Sequence, residues 1–249
     1  MQAEADQALW DHKRLSDPHG QPDKAQRVQA MFDAIAPTYE LVNRVMSVGQ
    51  DARWRRKAVE WTGIQAVDEV LDLACGTGDF SRCFAAAGPA RVVGCDFSEQ
   101  MLSLAATRSC ERLRWARADA LALPFDDGSF SVVSCAFGVR NFSCLETGIR
   151  EAARVLRPGG RIVILEFSVP RSRILGSLYL FYFHRVLPRL ASWISGDRTG
   201  AYAYLPQSVS SFVDAPGMIQ LLETAGFERI MARRLTIGVV TVYLGWKRG

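Results

Sequence analysis

Two kinds of hydrophobic periodicity divide the chain. In the first, Val28, Met31, Phe32 and Ile35 recur at helical spacing. Asp23 stands where it can cap that helix. The partly basic stretch APTYELVNRVMSVGQDARWRRKAVEW continues as helix, so residues 23–65 read as a helical cap. The second kind consists of short apolar runs: EVLDLAC (69–75), RVVGCD (91–96), LRWARAD (113–119), FSVVSCAFG (130–138) and GRIVILEFS (160–168). Helical segments lie between them, at about 78–87, 98–112 and 143–157. Strands alternating with helices predict an α/β fold with a parallel sheet and helices on both faces. Continuous apolar runs fit strands buried on both sides. PGG (158–160) reads as a sharp stop between helix and strand. Near the end, GMIQLLETAGF predicts a helix, and ERIMARRLT and GVVTVYLGWK predict an antiparallel pair at one sheet edge, turning at Gly238.

Two segments fall outside this rhythm. Residues 1–22 are polar, contain SDPHGQPD and read as a mobile tail. Residues 169–213 form an insertion rich in aromatics, ILGSLYLFYFHRVLPRLASWI followed by GDRTGAYAYLP. The expected organisation is a single domain, 23–249, with a helical cap and this insertion as a lid.

Composition narrows the class. Of 249 residues 49% are hydrophobic and 22% charged, as in ordinary globular proteins. A formal charge of +4 does not call for a nucleic-acid partner. No run reaches the ~18 apolar residues of a membrane span, and the N-terminus lacks a signal-peptide core. The six cysteines form no CxxC pair and read as free thiols of a reducing cytoplasm. No metal is expected.

The candidate chemistry begins at LDLACGTGDF (71–80). Gly76 and Gly78 let the backbone turn sharply after a strand and approach a ligand, and a helix starts near Thr77–Asp79. A dinucleotide fingerprint would place a third glycine at 81, where this chain has Ser81. Asp72 and Asp79 in the same loop suit a cationic ligand better than a pyrophosphate. S-adenosylmethionine has a sulfonium and an α-amine. Asp96 ends the next strand, where a carboxylate can accept both ribose hydroxyls. Asp119 follows the third strand, placed to accept from an adenine amino group. Each signal is weak alone; together, at these intervals, they are strong.

VLDLACGTGDF, GCDFSEQML, DALALPFDDGSF, AFGVRN and RVLRPGGRIVILEFS together resemble the ubiquinone/menaquinone biosynthesis C-methyltransferases. FDAIAPTYELVNRVMSVGQDARWRR, YAYLPQSVSSF and LTIGVVTVYLGWK extend the resemblance over about residues 28–247. It implies a class I methyltransferase (Rossmann-like) sheet, mostly parallel with an antiparallel C-terminal edge strand. It also implies methyl transfer from S-adenosylmethionine to a ring carbon of a prenylated quinol. By this resemblance Thr77, Asp96, Asp119 and Ala120 are cofactor positions; Asp72, Gly76, Gly78, Phe97 and Ala136 complete the expected set. The family often has serine where this chain has Ala136. It often has histidine in GxHxxW where this chain has Asp51, a form that resembles the menaquinone branch.

Arg140 and Asn141 are the expected catalytic pair. They follow the fourth strand, at the carboxyl edge where such sheets bind ligands. A guanidinium is a fixed cation with a planar donor fork. It can hold a quinol oxygen as it ionises, and Asn141 can bond the same oxygen or fix the arginine. The structural alternative is an Arg140 paired with a carboxylate to pin its loop. Tyr39, Tyr202 and Tyr204 read as packing residues or substrate contacts. Residues 174–194 set leucines and aromatics beside Arg171, Arg173, Arg185 and Arg189, which suits a peripheral contact with the inner face of the cytoplasmic membrane. A buried helix or a homodimer contact is the alternative. Competing functions are methylation of the benzoquinol intermediate of ubiquinone, a nicotinamide-dependent oxidoreductase, and a non-catalytic cofactor-binding subunit.

Overall fold

The computed structural model describes residues 9–197 and 199–249. Four helices precede the sheet: α1 (His12–Leu15), α2 (Lys24–Ile35), α3 (Tyr39–Met46) and α4 (Gln50–Thr62). The alternating part runs β1 (Glu69–Leu73), α5 (Asp79–Ala86), β2 (Arg91–Asp96), α6 (Glu99–Ala106), β3 (Leu113–Arg117) and β4 (Phe130–Ala136). A 3-10 turn (Val139–Asn141), α7 (Leu145–Val155) and β5 (Leu156–Phe167) follow. The insertion contains α8 (Arg173–Phe181), a π-helical turn (Tyr182–Val186), α9 (Leu187–Ser195) and α10 (Ala201–Ser210). The chain closes with α11 (Ala215–Thr224), β6 (Phe227–Leu235) and β7 (Val240–Lys247).

Among the described residues the strands form one seven-stranded sheet, ordered β3-β2-β1-β4-β5-β7-β6. β1 to β5 are parallel, and β7 runs antiparallel between β5 and β6. The order reverses direction between β1 and β4, and a crevice opens there at the carboxyl ends of the strands. Both faces are covered. Leu71, Leu73, Val133, Cys135, Ile162 and Ile164 pack with Ile149 of α7 and Met218 and Leu222 of α11. Val70, Val92, Val132 and Val163 pack on the other face with Trp54 and Ala58 of α4 and Phe80 and Phe84 of α5. Truncating a fully buried ring such as Phe84 to alanine costs about 3–5 kcal/mol.

The fold class read from the sequence holds, with local corrections. PGG does not stop the chain before β5: the strand begins at Leu156 and bulges across it, between the Phe130–Leu156 and Val132–Arg161 pairs. The expected helix 98–112 ends at Ala106. Asp23 makes no side-chain cap; its carboxylate pairs instead with Arg27, at 2.6 Å. Of the segment read as a tail, residues 1–8 lie outside the described residues. Trp10 is 2% exposed and stacks on Tyr204 at 4.2 Å between ring centroids. A large aromatic at that position has a partner in α10 that local sequence does not reveal.

Candidate active site

The loop after β1 is set by left-handed backbone. Gly76 and Gly78 have φ of 54° and 84°, and Ala74 joins them at 49°. A Cβ on Gly78 would fall 2.4 Å from the Trp115 ring, so only glycine fits. A Cβ on Gly76 would meet nothing within 4 Å, because that side faces a cavity. Phe137, just past β4, is also left-handed (φ 59°). Two non-glycine residues in this region flank the crevice, where such strain collects at functional sites.

Asp96 holds the loop. Its Oδ2 accepts from the Gly76 amide at 2.8 Å and its Oδ1 from the Ser98 amide at 2.9 Å. Burial pushes this carboxyl up, while the amides oppose that. The expected cofactor residues Gly76, Asp96, Phe97, Asp119, Ala120 and Ala136 all line one cavity of about 740 Å³, with Asn141. Thr77 and Asp72 line a smaller adjoining space of about 340 Å³, together with Asp79, Arg55 and Tyr39. Gly78 lines neither; it shapes the turn. Asp119 accepts from the Leu121 amide through Oδ1, at 2.9 Å.

The two acidic residues of the glycine loop are not free carboxylates. Asp72 accepts from the hydroxyls of Ser81 (2.6 Å) and Ser134 (2.7 Å), and burial raises its pKa to about 6. Asp79 pairs with Arg82 at 2.5 Å and lies 4.0 Å from Arg55. Ser81, which the sequence offers only as a missing glycine, therefore has a positive role: it tethers Asp72.

A second cavity, of about 920 Å³, lies against the first. Phe32, Tyr39 and Phe137 line both, so the three rings form the boundary between them. The larger space is aromatic: Trp54, Phe167, Tyr179, Tyr182, Phe183, Tyr202 and Tyr204 contribute, from the cap, the sheet edge and the insertion. Arg140, 5% exposed, is one of its two buried arginines, with Arg55. Its Nη1 donates to Glu166 Oε1 at 2.8 Å and to the Phe137 carbonyl. Burial works against this charge, but Glu166, together with Tyr204 and Tyr39, more than offsets it and holds the guanidinium above its ordinary range. The Arg140 Nε–H has no partner. The carboxylate pairing and the cavity position thus coexist: Glu166 anchors one edge of the fork and leaves another edge unsatisfied.

Asn141 does not bond the guanidinium. Its Oδ1 accepts from the Tyr204 hydroxyl at 3.1 Å, and its Nδ2 lies 3.4 Å from the Phe137 carbonyl. The turn carrying both residues is clamped from behind. Buried Lys24 donates to the carbonyls of Arg140 (3.0 Å) and Phe142 (2.6 Å), and burial, with the Arg140 charge, lowers its pKa to about 8. Lys24 and Glu166 are missed by sequence reasoning. For Lys24 the only signal is its place at the head of an amphipathic helix; for Glu166 it is a carboxylate inside an apolar strand. Asp51 also lines the larger cavity, bonded to Arg55 at 2.6 Å and to Ser47 at 2.9 Å.

The model of the ubiE/COQ5 methyltransferase family matches residues 21–247. The chain belongs to that family. It is a methyltransferase, as the glycine loop, Asp96 and the FGVRN turn imply. It is 44% identical to the demethylmenaquinone methyltransferase of Deinococcus radiodurans, over 91% of this chain and 95% of that one. The demethylmenaquinone methyltransferase of Thermus thermophilus is 46% identical, over 86% of this chain and 99% of its own. The ubiquinone/menaquinone biosynthesis C-methyltransferase UbiE of Citrifermentans bemidjiense is 42% identical, over 90% and 98%. Solved structures share the methyltransferase's fold at low identity. The [4+2]-cyclase SpnF has a TM-score of 0.66 at 17% identity, covering 90% of this chain and 96% of that chain. A Haemonchus contortus phosphoethanolamine N-methyltransferase bound to S-adenosyl-L-methionine has a TM-score of 0.57 at 15% identity, covering 75% and 50%.

Proposed function

We propose that this methyltransferase uses S-adenosylmethionine to methylate a ring carbon of a prenylated quinol, converting demethylmenaquinol to menaquinol. The observation that carries this reading is the pair of abutting cavities, one built on the glycine loop and one aromatic with a buried arginine, meeting at Tyr39 and Phe137. The residues suit the cofactor. Gly76 leaves open space where a side chain would stand. Asp96 is held by two amides and keeps lone pairs for ribose hydroxyls. Asp119 has one carboxylate oxygen for an adenine amino group. When bound, the sulfonium supplies an electrophilic methyl. Over the whole reaction an S–CH₃ bond breaks, a C–CH₃ bond forms, and one proton leaves the quinol for solvent.

The chain's own part is alignment, exclusion of water and help with quinol ionisation. Arg140 is a permanent cation beside the aromatic space, and it favours the quinolate form of a hydroxyl placed against it. Charge on that oxygen spreads to the ortho ring carbon, which then attacks. Asn141, held by Tyr204, lines the cofactor side and keeps the two halves in register.

The same reading includes a membrane contact. No helix among the described residues is long and apolar enough to cross a bilayer. Ile174, Leu178 and Phe181 of α8 and Trp193 of α9 are nonetheless exposed, Trp193 by 82%. Arg171, Arg173, Arg185 and Arg189 are exposed among them, and residues 167–196 contain no Asp or Glu. Apolar side chains beside cations suit an anionic lipid interface, where a prenylated quinol resides.

The test is turnover by the purified protein with S-adenosylmethionine and reduced demethylmenaquinone, read by mass spectrometry, with a demethylated benzoquinol in a parallel arm. One added methyl on the naphthoquinol is expected. Methylation of the benzoquinol alone would move the substrate to the ubiquinone branch, and no transfer to either would defeat the reading.

A further inference from the structure

Five tyrosines line the aromatic cavity, and their hydroxyls are not equivalent. Tyr204 donates to Asn141 and Tyr182 to the Met46 carbonyl. Tyr179 and Tyr202 bury their hydroxyls with no partner among the described residues. A buried hydroxyl without a hydrogen bond is costly, and a native site that keeps one has a reason for it. The two differ in what surrounds them. Tyr202 has the hydroxyls of Thr38 and Ser195 close by. Tyr179 lies in the field of Arg140 and Glu166.

Tyr179 is also held in place. It sits on the inner side of α8, away from exposed Ile174, Leu178 and Phe181, and stacks on Phe183 at 4.9 Å. Phe183 is 2% exposed and packs on Phe167, whose ring lies 5.5 Å from the Arg140 guanidinium carbon. A rigid aromatic chain therefore connects the insertion to the arginine. At the arginine end, the Nε–H is another orphan donor of the same cavity. Two unsatisfied donors, one charged and one neutral, thus belong to residues that line one space and are joined by that aromatic chain.

We propose that the Tyr179 hydroxyl and the Arg140 Nε–H together donate to the quinol oxygen whose ionisation activates the ring. This rests on the quinol reading above and names the residue by which the insertion enters the chemistry. Burial pushes the Tyr179 phenol up, so it stays protonated and acts as a donor. Glu166 serves the pair by keeping Arg140 fixed and charged.

The test is Tyr179→Phe, which removes one oxygen and leaves the stack on Phe183. With reduced demethylmenaquinone, kcat/KM is expected to fall about 10- to 100-fold, the scale of a lost hydrogen bond to a charged group. S-adenosylmethionine affinity should not change. The acid limb of the pH–rate profile should move to higher pH, because the quinolate has lost a donor; a packing role would not move it. If Tyr179→Phe loses cofactor affinity or fails to fold, 3-fluorotyrosine at 179 replaces it: the stronger donor should move the limb to lower pH. Wild-type turnover with kcat/KM and pH limb unchanged in the variant overturns this inference alone. Absence of wild-type turnover defeats the quinol reading itself.

Discussion

The two cavities are built on opposite plans. On the cofactor side, the carboxylates around the glycine loop have protein partners. Asp96 has two amides, Asp72 two serine hydroxyls, and Asp79 an arginine. Its key residues come from one stretch of the sheet, at the ends of consecutive parallel strands. Around the aromatic side, donors are left over: Arg140 Nε, Arg55 Nε and the hydroxyls of Tyr179 and Tyr202. Its walls come from the cap, the end of β4, β5 and the insertion. A site whose polar groups are already satisfied is preorganised. A site with orphan donors is completed by its ligand, and the orphans here are the donors that the proposed quinol would satisfy.

The largest effect is expected at the arginine. Arg140→Ala alone leaves Glu166 buried and unpaired, so the cleaner variant is Arg140→Met with Glu166→Gln. Turnover should fall about 100- to 1000-fold, the scale of a lost electrostatic donor, with S-adenosylmethionine affinity retained. Near-normal turnover at saturating substrates would remove Arg140 from the chemistry.

Asp96→Ala should do the reverse, weakening S-adenosylmethionine by about 1.5–3 kcal/mol in calorimetry. An unchanged affinity would separate Asp96 from the cofactor.

Asp72 tests whether the satisfied side carries a cost of its own. Its folded pKa of about 6 lies above that of an unfolded aspartate. The folded state therefore holds the proton more tightly, and the stability present at acidic pH is lost as pH rises through 6. The full loss is about 3 kcal/mol. Asp72→Asn keeps a donor and an acceptor for the two serines and lacks this slope. Urea unfolding at pH 5 and pH 8 should show the variant gaining on wild type at the higher pH. Parallel pH dependences would count against a strained, buried carboxylate.

The smallest effect concerns the outer surface. Phe181→Ser with Trp193→Ser should reduce binding to anionic vesicles and raise KM several-fold for long-chain quinols, while a short soluble quinol is handled as before. Equal vesicle binding and unchanged chain preference would end the membrane contact. Phe183, though part of the same apolar run, is unsuitable for this purpose because it is buried in the cavity wall.

The same contrast explains what the sequence reveals. The β1 loop, Asp96 and Asp119 are legible because each follows a strand at short range, and the strand pattern itself is local. The arginine turn is legible as an anomaly, two hydrogen-bonding side chains after an apolar run. Its supports are not, because Glu166 is 26 residues away and Lys24 is 116 residues away. Tyr179 looks like one aromatic among many until its hydroxyl is found without a partner. The PGG bulge and the early end of α6 are lost for another reason: tertiary pairing extends β5 backward, and nothing in 107–112 forces the chain to stop being helical.

The central claim is that one cavity holds the cofactor and the other the quinol. Its most direct test is a crossed binding measurement. Dissociation constants for S-adenosylmethionine and for a short-chain demethylmenaquinol are measured in wild type, in Asp96→Ala and in the Arg140→Met, Glu166→Gln variant. Asp96→Ala should lose cofactor affinity and keep the quinol, and the arginine variant should lose quinol affinity and keep the cofactor. Loss of both ligands together in both variants would contradict the division.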